Sequence, residues 1–290
     1  MRNVHLVMVS KIPSWRRVVA YVVVFLGGLW TVLPLYWLFI TAFKPWLEVV
    51  QVGSPTFIPQ TWTLSGFAQA WSQGGKGILD STIIVVGTLL VSLTLGIPAA
   101  YSFSRFGTGG RNLPFLLLAF RLMPPVALTS AVYLIAASLS LVDTHLLLIL
   151  INSVVSTPFV IWIMKGFIDE IPYAIEEAAQ MDGASWLRAV LDHVLPLTKP
   201  GLVSVMLLVA IFTWNELLFA MILTGPDVIP FTRVVPGLQI GRKYLLLPNW
   251  PAVAALGVLD VAAILLIGSY LQRHIVRAMS YGAIKEAVWE

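Results

Sequence analysis

Charged and amide side chains set inside long apolar runs are the first residues that could do chemistry here. Arg121, Asn152, Asn215, Glu216 and Asp260 all lie in or near such runs. A polar group in lipid is costly and ordinarily faces a partner helix or a wet cavity. Two readings follow: hydrogen bonds between helices, or donors and acceptors lining a path for a polar solute. Arg121 has the charge to neutralise Glu216 or Asp260 across a helix bundle, and the sequence leaves open which. Gly27-Gly28 and Gly96, in the same runs, permit close helix contacts or hinge motion.

Covalent chemistry finds little support. The chain has no cysteine, so thiolate nucleophiles, thiolate metal sites and disulfides are excluded. It also has no HExxH pair and no Walker glycine loop. His5, His145, His193 and His274 are scattered over different segments and lack the spacing of a metal site. Ser153 and Ser156 have no histidine on a facing span at equal depth, which argues against an intramembrane protease. The expectation is a chain that catalyses nothing and binds no cofactor or metal. A passive channel remains a rival class.

A second distinctive stretch is charged and lies between two apolar runs, at residues 166–200. Pro172 suits a first helical turn, where its missing N–H costs nothing. Ile171, Ile175, Ala178 and Ala179 then fall on one face, and Glu176, Glu177 and Gln180 on the other. Gly183 stands where a left-handed helix stop favours a residue without Cβ. Ser185 can cap a second helix, in which Leu187, Val190, Leu191 and Val194 make a new apolar stripe until Pro196 ends it. Such a helix–glycine–helix unit suits docking in another protein's groove and passing force to its flanking helices. A channel would have no need of it.

The elements that must hold these residues are membrane spans. Hydrophobic residues make up 58% of the 290 and charged residues 11%, against roughly 45–50% and about 25% in soluble domains. Lipid, not nucleic acid, is therefore the expected surroundings, despite a net charge of +4. Apolar runs at 18–43, 78–103, 114–137, 145–164, 201–223 and 251–271 are each read as a span, since about 20 helical residues cross a core of roughly 30 Å. The first is too long for a signal-peptide core and has no small-residue cleavage site, so it is read as retained. Arg121 and Pro124-Pro125 interrupt the third. The loops at 44–77 and 224–249 are Pro-rich, and Trp46, Trp62 and Trp71 are expected as interfacial anchors.

Six spans place both termini on one side. Arg2, Lys11, Arg16, Arg17, Arg105, Arg111, Lys165, Arg188, Lys199, Arg273, Arg277 and Lys285 share that side. They outnumber Lys44, Lys76, Arg233, Arg242 and Lys243 on the other. The excess of cations assigns the termini and the 166–200 segment to the cytoplasm. The expected organisation is an N-terminal segment 1–17, a membrane domain 18–273 and a cytoplasmic tail 274–290. Gly282 offers a turn that would let Tyr281, Ile284, Val288 and Trp289 fold back for burial.

The charged segment resembles the cytoplasmic coupling loop of bacterial ABC-importer permeases, whose pattern is E-A-A, three residues, G, nine residues, then I-x-L-P. Glu177, Ala178, Ala179, Gly183, Leu195 and Pro196 match at those spacings, while His193 replaces a branched apolar residue. Residues Ala100 to Phe106, Leu141-Val142-Asp143-Thr144, Trp214 to Ala220, and the tail stretches Gln272 to Arg277 and Gly282 to Lys285 resemble, in order, stretches of sugar permeases of the maltose-transporter type. The tail stretches resemble the shorter of the two permease subunits.

The resemblance implies an all-α, polytopic membrane protein with six transmembrane helices and a cytoplasmic coupling-helix loop. It implies a non-catalytic permease in the bacterial inner membrane, paired with a second permease, two ATPase subunits and an external solute-binding protein. ATP and Mg2+ would sit on the ATPases, which Glu177, Ala178, Ala179, Asp182, Gly183, Leu195 and Pro196 would contact. The solute would be a carbohydrate, with a polyol or a glycerol-phosphate type compound as the alternative. Arg121, Asn152, Asn215, Glu216 and Asp260 would then be candidates for its path.

Overall fold

The computed structural model describes residues 14–51, 56–110, 112–121, 123–239 and 248–286, and among them every regular element is helical. In chain order the helices are α1 Ser14–Ala42, α2 Trp46–Val50, α3 Ser65–Arg105, α4 Leu113–Phe120, α5 Val126–Ser138, α6 His145–Asp169 and α7 Ala174–Met181. There follow α8 Trp186–Ala189, a π-helical turn Val190–Val194, α9 Leu195–Leu197, α10 Lys199–Trp214, α11 Leu218–Leu223, α12 Phe231–Gln239 and α13 Trp250–Glu286.

Three of these, α1, α3 and α6, are each long and apolar enough to cross a bilayer. With 29 residues, α1 is roughly 43 Å long at 1.5 Å per residue. No residue of its most apolar stretch is buried in the single chain, the pattern of a helix solvated by lipid or by another membrane protein. The third expected span is two helices, α4 and α5, with the break at Arg121–Pro125, where the prolines remove N–H donors. The fifth is broken as well. After α10, the chain leaves the helix at Asn215–Leu217 and resumes as α11.

Helix α3 starts at Ser65, well before the expected 78. Its glycines belong to a packed helix and not to a loop. A Cβ on Gly66 would lie 2.7 Å from Ala42 O, and one on Gly74 would lie 2.7 Å from Leu256 Cδ2. These positions let α1 and α13 press directly on the backbone of α3. Gly96 does the same for α6, with Val160 Cγ1 2.5 Å from where its Cβ would be. Gly27 and Gly28 meet nothing within 4 Å among the described residues, so no helix contact there accounts for them. At the other end, α13 runs unbroken through Gly282 to Glu286, so the expected turn does not form there. Val288 and Trp289 lie outside the described residues.

Buried apolar side chains gather in three clusters. One joins the start of α3 to α12 and α13. A second, around Leu148 and Leu223, joins α5, α6 and α11. The third joins the C-terminal half of α3 to α6, the 171–196 segment and α10, through residues such as Tyr101, Met164, Ile171, Val194 and Val205. Each such side chain contributes about 1.5–3 kcal/mol when fully buried. This last cluster fixes the charged segment against the membrane helices.

Candidate functional site

The 171–196 segment is built as two short helices around a reversed turn. Ile175 N–H reaches Pro172 O at 3.2 Å, which opens the turn into α7. At its end, Gly183 takes φ +90, and a Cβ there would meet no atom of the described residues within 4 Å. Ala184 N–H returns to Ala179 O and Gly183 N–H to Gln180 O, both at 3.0 Å. That pair of bonds defines the Schellman stop, which satisfies carbonyls the helix would otherwise orphan. Ser185 then accepts Arg188 N–H at 3.4 Å and caps α8.

The faces of α7 differ from the sequence expectation. Glu176 is fully buried with Ile171 and Ala179, while Ala178 is exposed beside Glu177 and Gln180. Helical periodicity allowed that inner position, but a carboxylate there requires a partner. Arg105, the last residue of α3, supplies it: Nε donates to Glu176 Oε1 at 2.7 Å and Nη2 donates to Ile171 O at 2.9 Å. Tyr101 donates its hydroxyl to the other carboxylate oxygen and accepts the indole N–H of Trp186 at 3.2 Å. The available signal was Arg105 itself, a cation ending an apolar run close to a short acidic helix.

The second helix also departs from a single stripe. Val190 and Val194 are buried, whereas Leu187 and Leu191 are about half exposed. The π-helical turn at Val190–Val194 widens the helix and shifts the side chains after it. Pro196 does not end the run. It opens the short α9, and the axis turns by 73° between Leu197 and Lys199. His193 is exposed, so its departure from the apolar pattern costs no burial. Glu177, Asp182 and Gly183 are exposed, and Leu195 and Pro196 are half-buried.

The five polar residues of the apolar runs do not form one site. Arg121 lies 4.0 Å from the Phe159 ring centroid and 4.7 Å from that of Phe212, and donates to Val155 O at 2.7 Å. It pairs with neither Glu216 nor Asp260, because two aromatic faces and a carbonyl already satisfy the guanidinium. Glu216 instead accepts Phe219 N–H at 2.8 Å and Ala220 N–H at 3.1 Å, closing the open N-terminus of α11. Asp260 accepts the Trp214 indole N–H at 2.6 Å. Asn152 and Asn215 donate to carbonyls one turn back in their own helices, Leu148 O and Ile211 O. Asn152, Thr213 and Glu216 meet at a void of about 10 Å3, room for one water at most.

A further polar cluster, absent from the sequence reading, organises the 224–231 loop. Asp143 accepts N–H groups of Gly225, Asp227 and Val228 at 2.6, 2.9 and 2.9 Å. Asp80 accepts Ile229 N–H at 2.9 Å and lies 3.0 Å from His145 Nε2; Ser81 accepts Phe231 N–H at 2.9 Å. Burial raises the Asp143 carboxyl, but those backbone donors and the nearby Arg233 charge outweigh it, so its pKa ends below the ordinary value. Asp143 itself has φ 62, which aspartate tolerates. The motif Leu141-Val142-Asp143-Thr144 was the signal.

Residues 92–281 match the family of binding-protein-dependent transport system inner membrane components. Over 254 residues the chain is 30% identical to a probable ABC transporter permease, y4oR, of Sinorhizobium fredii, covering 87% of this chain and 90% of that one. It is 30% identical to the trehalose transport system permease SugB of Mycobacterium tuberculosis, covering 88% and 93%. To the diacetylchitobiose uptake permease DasC of Streptomyces coelicolor it is 29% identical, covering 93% and 96%. The fold is similar to that of a chain in the crystal structure of a bacterial ABC transporter involved in import of the acidic polysaccharide alginate. That likeness has a TM-score of 0.76 at 21% identity and covers 91% of this chain and 98% of that one. With most of its length inside the family's match, this chain belongs to the binding-protein-dependent transport system inner membrane components.

Proposed function

We infer that the chain is one permease of an ATP-driven importer that carries a carbohydrate handed over by an external binding protein. It works with a second permease and two ATPase subunits, and ATP and Mg2+ sit on the ATPases. The observation that carries this reading is the 171–196 segment. Its inner face is locked to α3, α6 and α10, while Tyr173, Glu177, Ala178, Met181, Leu187 and Leu191 remain exposed. An apolar surface rimmed by charge at a helix–turn–helix suits a groove in a partner protein. Relatives that span nearly the whole chain are named for trehalose and diacetylchitobiose, which supports a sugar as the solute.

The topology in this reading has six spans: α1, α3, the α4–α5 pair, α6, the α10–α11 pair and α13, with both termini and the coupling segment in the cytoplasm of an inner membrane. Nucleotide states of the ATPases differ in how they hold the coupling segment. That differential contact is the free energy that shifts the bundle between inward-open and outward-open forms.

The test is co-expression of the chain with candidate ATPase, permease and binding-protein subunits. An ATPase should co-purify, and its hydrolysis in proteoliposomes should rise when the binding protein is loaded from a panel of trehalose, diacetylchitobiose and melibiose. Failure to recover any ATPase with an inserted chain rules the reading out.

A further inference from the structure

Three segments of the chain meet at groups withdrawn from water. Glu176 is fully buried, and the side chain of Arg105 is 9% exposed. Together with Tyr101 they join the last turn of α3 to α7, and through Trp186 to α8 beyond the Gly183 turn. A buried ion pair is a poor source of stability, because desolvation offsets the attraction, and apolar residues of similar volume would hold the helices as well. Its distinctive property is orientation. Apolar faces slide past one another at little cost, whereas displacement of this pair would leave a carboxylate and a guanidinium buried and uncompensated. The end of α3 is tied to α6 as well, since Ser104 Oγ donates to Asp169 Oδ1 at 2.5 Å.

We propose that Arg105, Glu176 and Tyr101 form a clamp that makes α7, α8 and the C-terminal half of α3 a single rigid body. Movement imposed on the coupling segment then reaches α3 undiminished and is not absorbed by bending at Ile171–Tyr173. These are positioning residues, because they act through helices and touch neither solute nor nucleotide. The proposal rests on the chain being an ATPase-driven permease.

Absence of cysteine makes the test direct. Spin labels are placed at Gln180→Cys on α7 and Leu95→Cys on α3, both exposed positions. Distances are then measured in the complete complex without nucleotide and with ATP plus vanadate. The clamp requires the same distance distribution in both states. Arg105→Lys keeps the charge but loses the forked geometry, and should make that distance depend on nucleotide state; Tyr101→Phe, which leaves the ion pair intact, should do so more weakly. A residue that only stabilises the fold would instead alter both states alike.

A wild-type distance that changes between the two states overturns the clamp, because α7 then moves independently of α3. So does state-independence in both variants. If no ATPase accompanies the wild-type chain, the permease reading fails first and the clamp with it.

Discussion

Asp260 on α13 accepts the indole N–H of Trp214 at 2.6 Å, at the last residue of α10 before the chain leaves the helix. The bond ties two helices at the point where one of them breaks. Trp214 is buried against Phe231, at 5.9 Å between ring centroids, so the indole orientation is set from both sides. Trp214→Phe keeps most of the apolar contact and deletes the donor. Leaving the carboxylate short of a partner should cost about 1–3 kcal/mol. A thermal-shift series in detergent checks this, with Asp260→Asn as the milder variant because its amide oxygen still accepts.

Gly183 at φ +90 makes the reversal between α7 and α8. No neighbour among the described residues would clash with a Cβ there, so the expected effect of substitution lies in the backbone. Gly183→Val should cost on the order of 1–3 kcal/mol and displace α8, while Gly183→Asn should be tolerated better because asparagine visits the left-handed region. The expected outcome is normal insertion with reduced solute uptake for the valine variant and near-normal uptake for asparagine. Equal uptake by all three chains would show that the turn geometry is not needed.

Much of this segment was legible because local rules decide it. Glycine at a left-handed stop, serine at an N-cap and apolar spacing are readable from a few neighbours, and Gly183 and Ser185 behave accordingly. Glu176 and Ala178 were misplaced because the deciding partner, Arg105, lies 71 positions earlier in the chain. Gly66 and Gly74 read as loop residues for the same reason. Only the approach of Ala42, Pro251 and Leu256 reveals that they are contact points. The five intramembrane polar residues were visible as unusual, but three of them satisfy local helix ends or carbonyls, which composition does not disclose.

Asp143 should make stability depend on pH in the acid range. Its folded pKa lies below the ordinary carboxylate value, because three backbone donors and Arg233 outweigh the effect of burial. The ionised form therefore binds the 224–228 backbone more tightly than the protonated form does. Its contribution is complete at neutral pH, begins to fade as pH falls past the ordinary value of about 3.9, and is lost once pH drops through the lowered folded value. The stability difference between wild type and Asp143→Asn should accordingly be large at neutral pH and shrink as the solution is acidified. A difference that is constant with pH would remove the carboxylate's charge from the explanation.

Glu177 offers the sharpest contrast with its neighbour. It directly follows Glu176, yet a step of about 100° around the helix carries it from a sealed pocket to open solvent. An exposed side chain with no partner among the described residues should be replaceable at a stability cost within about 0.5 kcal/mol. Docking is different. On a surface that meets an ATPase, Glu177→Lys juxtaposes a cation with whatever positive group receives the carboxylate, and like charges at an interface cost several kcal/mol. The expected result is an unchanged melting profile with weak ATPase recovery in pull-downs and little uptake. Gln180→Lys, also exposed on α7, adds a cation without removing a carboxylate and should lose less. If Glu177→Lys recovers the full amount of ATPase and supports ordinary uptake, Glu177 is merely solvated, and the docking contact must be sought among Tyr173, Met181, Leu187 and Leu191.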